Sequence, residues 1–546
     1  MHWHFSLLAA AAGCVVQPAF GVPHQAQQGT CKKTKVAILG GGVAGITAAQ
    51  ALTNASVHDF TIIEYRDTIG GRAWHKPFGK DKDGKPYNIE MGANWVQGLG
   101  NPGGAQNPIW VLVGLRNLFG RTQAYFKQAQ KYGLKTHYSN YDNVSTYNKD
   151  GYSDYSHLLD LYEDSYDIAS QNAGEILTQN LQDQNAKSGL ALAGWNPKPF
   201  DMEAQAVDWW SWGCLFPLES SLVFGCAGDN LTSNYFSDHD NFVLDQRGFN
   251  IIFKKMASTF LRKNDPRLLL NTQVTNITYT DDGVTVLNKD GSCVEADYAI
   301  VTFSLGVLQN DAVKFSPKLP DWKQEAIQKF TMGTYTKIFF QFNETFWPSE
   351  TQYHLYADPV TRGWYPIWQS LSTPGFLPDS NIIFVTVTNE FAYRAERQTD
   401  EETKKEAMEV LRKMFPEKEI PEPTAFMYPR WTQEPWAYGS YSNWPPATSL
   451  EMHQNLRANA GRVWFAGEAT SPTFFGFLHG AYFEGLDAGR QIAAIMQNRC
   501  VNANSTKLRE CGPRKHYETL HGTSPYSDYT ILNGWAVDSF IDTNSD

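Results

Sequence analysis

Residues 34–45 read Thr-Lys-Val-Ala-Ile-Leu-Gly-Gly-Gly-Val-Ala-Gly, an apolar strand that runs into a glycine-rich turn. In the pattern Gly-x-Gly-x-x-Gly, Gly40 permits the tight turn, Gly42 lets backbone N–H groups approach a pyrophosphate, and Gly45 lets the next helix pack closely on the strand. The following apolar strand ends at Glu64, where an acid can accept a hydrogen bond from a ribose hydroxyl. The sequence therefore predicts a βαβ unit that binds a dinucleotide, without deciding between NAD, NADP and FAD.

Composition and charge narrow the class of protein. A chain of 546 residues with 42% hydrophobic content is long enough for two or more domains. The net charge of -11 argues against nucleic acids and anionic membranes as partners, and it weakly favours cationic ligands. Beyond the N-terminus, no apolar run approaches the roughly 20 residues of a membrane span.

The first residues are typical of an export signal. An apolar stretch at residues 5–16 is followed by Gln-Pro-Ala-Phe-Gly, which offers small residues for cleavage. We expect residues 1–21 to be a secretory signal peptide and the mature protein to be extracellular. The segment before the apolar stretch has no Lys or Arg, so a disordered intracellular extension remains the alternative.

Cysteines and glycosylation sequons are consistent with export. Cys14 would leave with the signal, and six cysteines remain, an even number. Cys214 with Cys226, and Cys500 with Cys511, are plausible local disulfides, although buried free thiols are an equal alternative. Asn-x-Ser/Thr sequons stand at Asn54, Asn143, Asn230, Asn276, Asn343 and Asn504.

The order of segments predicts two interleaved domains rather than two consecutive ones. Apolar strands of dinucleotide-domain character return near residues 267–302 and 462–468, and a block of strands with an amphipathic helix separates them. The predicted fold is α/β (α+β overall). Residues 34–117, 224–319 and 432–500 form the predicted Rossmann-like domain. Residues 118–223, which we interpret as helical segments with loops, and residues 320–431 form a domain of a mixed sheet plus helices. Residues 501–546 form a polar tail.

A second set of motifs identifies a family. Gly-Glu-Ala-Thr at 467–470 and His-Gly-Ala-Tyr-Phe-Glu-Gly at 479–485 together resemble the C-terminal flavin signature of the flavin amine oxidases, in which the acid binds the ribityl or pyrophosphate part of FAD. The match covers roughly residues 34–497 and most resembles the secreted polyamine oxidases of plants and fungi. Further stretches look like the same family and follow its order: Ile69–Arg72, Gly92–Trp95, Ser304–Leu308, Tyr335–Phe339 and Gly439–Pro445.

The resemblance implies FAD as the cofactor. The sequence has no cysteine between Asp297 and Arg499, so the C-terminal attachment point for a cysteinyl flavin is lacking and we expect non-covalent FAD. The implied FAD-binding residues are Gly40, Gly42, Ala44, Gly45, Glu64, Arg72, Gly92, Ala93, Asn94, Trp95, Val274, Trp431, Trp436, Glu468, Gly480 and Ala481.

The resemblance also implies catalytic roles. Similar proteins hold the lysine at the position of Lys337 through a water near flavin N5; a surface lysine that snorkels is the alternative. Tyr441 and Phe477 match the two aromatic residues that flank the substrate amine, with Trp95 as a further wall and Tyr335 nearby. Ordinary core aromatics are the alternative for these positions.

Substrate recognition is where the sequence departs from the family. Plant relatives carry an acid, and several animal relatives a histidine, at the position of Gln97. Recognition of a distal ammonium must then come from another residue, for which Glu219 is a candidate. In the same way, Phe477 stands where many relatives have Tyr.

The function implied is oxidation of a spermine- or spermidine-type amine. Hydride would pass from the amine α-carbon to flavin N5, and O2 would be the acceptor, giving aldehyde, amine and hydrogen peroxide. We expect a monomer whose partners are a small-molecule polyamine and O2, with no metal, nucleic acid or membrane. The alternatives are an L-amino-acid or other amine oxidase of the same fold, which would need a carboxylate clamp such as Arg362 or Arg394, and a catalytically silent FAD-binding protein.

Overall fold

The computed structural model of the protein describes residues 30–100, 104–113, 132–179, 181–212, 217–498 and 513–520. Several expectations lie outside these residues. They are the signal peptide at 1–21, the pairing of Cys500 with Cys511, the sequon at Asn504 and the side chain of Asn230.

The strands in the described residues belong to two large sheets and three small ones. In chain order they are β1 (Lys32–Leu39), β2 (Phe60–Ile63), β3 (His75–Phe78), β4 (Tyr87–Glu90), β5 (Trp95–Val96), β6 (Thr136–Tyr138), β7 (Val144–Asn148), β8 (Gly151–Tyr152), β9 (Asn241–Val243), β10 (Leu268–Leu269), β11 (Val274–Tyr279), β12 (Val284–Asn288), β13 (Cys293–Val301), β14 (Lys314–Ser316), β15 (Thr331–Gly333), β16 (Tyr335–Gln341), β17 (Tyr353–Tyr356), β18 (Ile367–Ser370), β19 (Ile382–Thr388), β20 (Ala425–Met427), β21 (Tyr441–Asn443) and β22 (Val463–Phe465).

The helices cover the sheets and build the region around residues 157–236. They are α1 (Val43–Asn54), α2 (Pro108–Val113), α3 (His157–Thr178), α4 (Ala186–Leu192), α5 (Met202–Trp212), α6 (Leu222–Phe236), α7 (Ile251–Ala257), α8 (Leu305–Gln309), α9 (Asp321–Lys329), α10 (Asn389–Arg397), α11 (Asp400–Met414), α12 (Leu450–Arg457) and α13 (Leu478–Met496), with a 3-10 turn at Trp431–Gln433. None of the helices that the structure describes combines the length and the apolar character that a bilayer crossing requires.

The first large sheet confirms the Rossmann-like prediction. Its order is β10-β2-β1-β13-β12-β11-β14, with β22 beside β13, and β1 pairs in parallel with both β2 and β13. The apolar residues 36–39 of β1 are fully buried, as expected for a strand covered on both faces. Helices α1 and α13 cross closely, since a Cβ at Gly485 would lie 2.1 Å from the Ala44 carbonyl oxygen.

The second large sheet has the order β20-β16-β19-β18-β17-β7-β8. In β16 the side chains alternate between the two faces: Ile338 and Phe340 enter one apolar cluster, while Phe339 enters another on the opposite face. The interpretation of residues 118–223 as helices and loops was wrong for β7 and β8, because β7 is held by parallel pairing with the distant β17. The exact domain boundaries stay a prediction.

The cysteine pairing differs from the expectation. Cys31 and Cys293 form a disulfide between the neighbouring strands β1 and β13, across 262 residues of sequence. Cys226 is a buried free thiol, so the proposed Cys214–Cys226 bond was wrong. Because parallel pairing brings residue 32 beside residue 294, the observed bond depends on sheet register, which local cysteine spacing does not reveal.

Part of the polar C-terminal segment is not a free tail. Within residues 513–520, the guanidinium of Arg514 is buried and donates to Asp487, 2.7 Å away, and to the carbonyl of Phe465. His516 stacks on Trp322 with ring centroids 4.4 Å apart. These residues pack against the first sheet and its helices, so the predicted tail at 501–546 needs this correction.

Replacement of Cys31 by serine should destabilise the protein. Loss of a disulfide that closes a long loop lowers the free energy of unfolding by about 2–5 kcal/mol. We expect a lower calorimetric melting temperature than in the wild type under oxidising conditions. The reductant dithiothreitol should lower the wild-type value to that of the variant and leave the variant itself unchanged; a variant that melts like the oxidised wild type would contradict the bond.

Candidate active site

A cavity of about 1140 Å³ lies between the carboxyl ends of β1 and β2 and the face of the second large sheet. Most of the residues that the sequence assigned to a site line it together. They are Gly40, Gly42, Ala44, Glu64, Arg72, Gly92, Ala93, Asn94, Trp95, Gln97, Val274, Tyr335, Trp431, Trp436, Tyr441, Glu468, Phe477 and Ala481. Gly45, Gly480, Lys337 and Glu219 are not among the described lining residues.

The two glycines outside the lining act by close packing. A Cβ at Gly45 would lie 1.9 Å from the Gly40 carbonyl oxygen, and a Cβ at Gly480 would lie 2.0 Å from that of Phe474. Any side chain at these positions would push a helix away from the cavity wall. The helix N-terminus after Gly42 therefore stays beside the turn, where its N–H groups fit a pyrophosphate.

Glu64 is fixed at the end of β2, as the nucleotide interpretation requires. Its buried carboxylate accepts hydrogen bonds from the backbone N–H groups of Gly41, 2.6 Å away, and Arg66, 2.8 Å away. Burial raises the pKa of Glu64, and the two N–H donors oppose that rise. The glycine turn and this anchored carboxylate fit the adenosine half of a dinucleotide.

Arg72 and Glu468 form an ion pair of 2.9 Å on the cavity wall. The other oxygen of the buried Glu468 carboxylate accepts from the Ser442 hydroxyl, 2.6 Å away, and from the Gly476 N–H, 2.9 Å away. Arg72 also donates to the carbonyl of Ser440. The sequence predicted both charged residues as cofactor contacts, and the structure adds that they bind each other.

The ammonium of Lys337 is buried directly behind the wall. Its Nζ donates to the Gly92 carbonyl, 2.8 Å away, and to Asn94 Oδ1, 2.5 Å away, two residues that line the cavity. It lies 5.7 Å from the ring centroid of Trp95. With 1% of the residue exposed, a snorkelling surface lysine is excluded. Burial lowers the pKa of Lys337.

Aromatic rings form the inner part of the cavity. The rings of Tyr335 and Tyr441 are 6.2 Å apart, and Phe477 stacks on His479 at 5.1 Å. His479 Nδ1 in turn contacts Asn107, whose amide donates to the carbonyl of Gln97. Asn107 was missed because a lone asparagine carries no motif, and His479, the first residue of the 479–485 motif, was given no role of its own. Trp74, also missed, packs edge-on against Trp431 and Trp436.

Glu219 is not among the described residues that line the cavity. Its carboxylate is exposed and accepts from the side-chain amide of Asn389, 2.7 Å away. Its role in binding a distal ammonium stays a prediction. Carboxylates that sequence analysis did not single out line the other part of the cavity: Asp142, Asp160, Glu163, Asp229, Asp238 and Asp240. The acid-rich sequence of α3 was the available signal.

In this group of carboxylates, here called the acidic mouth, burial raises the pKa of Asp240 and Glu163. Asp240 accepts from the Gly98 N–H and the Tyr141 hydroxyl, which partly offset the burial that raises its pKa to about 6, with Asp229 and Asp238 adding to the rise. Burial likewise raises the pKa of Glu163, with help from neighbouring acids. Among the described lining residues, Arg72 is the only lysine or arginine, and it is paired with Glu468. The acidic mouth therefore carries a negative electrostatic potential.

Comparison with known proteins agrees with this geometry. The family model for flavin-containing amine oxidoreductases matches residues 43–493. The chain belongs to that family. Polyamine oxidase 1 of Zea mays is 35% identical over 525 residues, which span 91% of this chain and 97% of that protein. Polyamine oxidase 7 of Oryza sativa subsp. japonica is 36% identical over 477 residues, which span 84% of this chain and 94% of that protein.

Solved structures show the same fold. Wild-type putrescine oxidase bound to putrescine has a TM-score of 0.63 at 19% sequence identity, and the match covers 86% of this chain and 100% of that one. As a flavin amine oxidoreductase the protein is an enzyme, and its cofactor is FAD. The fit is supported by the glycine turn, by Glu64 and by the size of the cavity.

The two candidate carboxylate clamps of an amino-acid oxidase lie elsewhere in this flavin amine oxidoreductase. Arg394 is paired with Glu406 and covers the ring of Trp364, and Arg362 contacts Gln205. Neither arginine lines the cavity. In the described part of the chain, no three His, Cys, Asp or Glu side chains are grouped so as to hold a metal.

Replacement of Arg72 by methionine should impair FAD retention. The carboxylate of Glu468 would stay buried without its cationic partner, which costs about 3 kcal/mol. We expect the purified variant to carry less FAD by absorbance at 450 nm (about the flavin maximum of the holoenzyme) and to melt at a lower temperature. Arg394→Met breaks a more exposed ion pair away from the cavity, so it should leave the FAD content unchanged. Full FAD occupancy in Arg72→Met would contradict this role.

Proposed function

We propose that the protein is a secreted polyamine oxidase with non-covalent FAD. It oxidises spermine- or spermidine-type amines and uses O2 as the acceptor, giving an aldehyde, an amine and hydrogen peroxide. The observation that carries the proposal is the arrangement of the cavity, in which an aromatic inner end lies beyond the acidic mouth. The identity to plant polyamine oxidases supports it.

The chemistry at the inner end needs an amine that is desolvated and neutral. When bound, FAD supplies the hydride acceptor for the amine α-carbon. Tyr441 and Phe477 offer apolar walls that exclude water from the amine. Lys337 donates hydrogen bonds to Gly92 and Asn94, and it holds or accepts a proton behind the part of the cavity wall that these two residues form.

The acidic mouth supplies the recognition that Gln97 lacks. A polyamine carries several ammonium groups along a flexible chain, so one amine can enter the aromatic end while others stay among carboxylates. Burial raises the pKa values of Asp240 and Glu163, and repulsion from neighbouring acids adds to the rise. A polycation relieves that repulsion, whereas a monoamine or the carboxylate of an amino acid does not.

Export is supported by three features. The apolar N-terminal stretch is typical of a signal peptide. The Cys31–Cys293 disulfide is typical of proteins that fold in oxidising compartments. The sequon residues Asn54 and Asn343 are exposed, as glycosylation requires.

Anaerobic mixing with a panel of amines tests the substrate class. We expect spermine, spermidine or N-acetylspermine to bleach the flavin absorbance far faster than a monoamine or an L-amino acid. Admission of O2 should restore the absorbance and release hydrogen peroxide. Bleaching by the L-amino acid would favour an amino-acid oxidase instead, and no bleaching by any amine would indicate a catalytically silent flavoprotein.

Asp240 gives the acidic mouth a predicted pH dependence. Because its pKa is raised to about 6, the carboxylate takes up a proton as the pH falls from 7 to 5, and attraction for a polyamine is lost. We expect the KM for spermine to rise over this range in the wild type. Asp240→Asn should raise the KM at pH 7 about fivefold, the equivalent of about 1 kcal/mol for a partly solvated charge pair, and should flatten the pH dependence.

The matched control for this prediction is Asp282→Asn, which neutralises an exposed acid in the turn between β11 and β12. It should leave the KM for spermine as in the wild type. An Asp240→Asn enzyme whose KM and pH dependence match those of the wild type would remove Asp240 from substrate recognition.

A further inference from the structure

Glu90, the last residue of β4, is a buried acid whose two carboxylate oxygens differ in their hydrogen bonding. Only 6% of the residue is exposed. Its Oε1 accepts from the backbone N–H of Phe249, 2.6 Å away, whereas its Oε2 is buried and has no hydrogen-bond partner among the described residues. Burial of a half-satisfied carboxylate is costly, so such a group calls for an explanation.

The chain leads from Glu90 directly to the groups that hold Lys337. Two residues after Glu90 lies Gly92, whose carbonyl accepts from the lysine, and four residues after it lies Asn94, whose Oδ1 does the same. A second cavity of about 10 Å³, room for about one water molecule, is lined by Glu90, Asn94 and Phe339. Phe339 is the next residue on the Lys337 face of β16.

The other charged groups near Glu90 do not neutralise it. Its carboxylate interacts with Lys337, Asp245 and Lys254, of which Asp245 is already paired with Arg247 at 2.7 Å. Lys254 is half-buried, with its own pKa lowered by burial. The cross-strand neighbour of Glu90 on β3 is His75, whose pKa is lowered by burial, so it is neutral near pH 7. Of the charged groups near Glu90, Lys337 is thus the one that lies next to the candidate active site.

The hydrogen bonds of Lys337 suit a neutral amine as well as an ammonium. A neutral amine has two N–H donors and a lone pair, and the described surroundings offer two acceptors, Gly92 O and Asn94 Oδ1. The third N–H of an ammonium has no acceptor among the described residues. Burial raises the pKa of Glu90 and lowers that of Lys337, and each charge opposes the shift of the other.

We propose that Glu90 is a positioning residue that shares one proton with Lys337 and thereby sets the charge of the lysine in the active site. In one state Glu90 is a carboxylate and Lys337 an ammonium. In the other the proton has moved from Nζ to Oε2 through one water in the small cavity beside Asn94, and both groups are neutral. The number of protons is the same in both, so only the internal charge separation changes.

The consequence for turnover rests on the proposed amine oxidation, since a neutral Lys337 can accept the proton that a substrate ammonium must lose. The proton sharing itself does not depend on that function. The two statements can therefore fail separately.

The first test measures the titration of Lys337 without turnover. In protein labelled with ¹³C at lysine Cε, the Lys337 signal is assigned by its loss in Lys337→Met. Glu90→Gln keeps the shape and the Oε1 acceptor but removes the negative charge, so the midpoint of the Lys337 titration should move at least about one pH unit lower. An unchanged midpoint would overturn the proposal.

The same shift should appear in catalysis. The limb of the kcat–pH profile that reports Lys337 should move to lower pH in Glu90→Gln, and no further change should follow when Glu90→Gln is added to Lys337→Met. Glu396→Gln is the matched control: Glu396 is a buried acid that contacts the neighbouring Thr336 on the opposite face of β16, at 2.6 Å. It should leave the Lys337 midpoint in place, and a shift as large as that of Glu90→Gln would refute a specific pair.

A reciprocal measurement covers the case in which Glu90→Gln does not fold. Coupling between two titrating groups is mutual, so Lys337→Met should raise the pKa of Glu90. The infrared carbonyl band of a protonated carboxyl group should then persist to higher pH than in the wild type. A band that disappears at the wild-type pH would mean that the two groups do not share a proton.

Discussion

The buried carboxylate of Glu468 is the contact on which the cavity depends. It joins Arg72, Ser442 and Gly476, three groups that are far apart in sequence. A carboxylate removed from water must be paired and hydrogen-bonded, so the loops that carry these partners can settle only when they meet around it. The same contact places the Arg72 loop, the segment of Tyr441 and the segment of Phe477 around one space.

The cavity separates opposite charges along its length. Carboxylates form the mouth, aromatic rings form the inner part, and the buried Lys337 lies behind the wall at Gly92 and Asn94. A polycation is attracted at the mouth, while a charge that approaches Lys337 meets repulsion and loses water. Under the proposed function, this order favours a substrate that keeps its distal amines charged and gives up the proton of the amine that enters.

The sequence predicted the parts of this site that local motifs encode. The β1 turn and Glu64 follow from spacing along one stretch of chain, whereas the roles of Glu468 and Lys337 were implied by the resemblance to the family. Long-range register could not be predicted in this way, as the Cys31–Cys293 bond and the pairing of β7 with β17 show. The acidic mouth was missed because its members come from separate loops and α3.

A buried acid lies near each face of strand β16, Glu396 on one side and Glu90 on the other. Their hydrogen bonds differ, and the difference indicates a structural role for the first and a chemical role for the second. Glu396 accepts from the hydroxyl of Thr336 and from the N–H and hydroxyl of Thr432, so both of its oxygens are satisfied and it ties β16 to the 3-10 turn. Glu90 has one satisfied oxygen and one that is buried and has no hydrogen-bond partner in the described part of the chain. A purely structural acid gains nothing from such an arrangement, whereas an acid that must take up and release a proton needs an oxygen that is not committed to a fixed donor. The free oxygen of Glu90 therefore belongs with the chemistry of Lys337 rather than with the stability of the sheet.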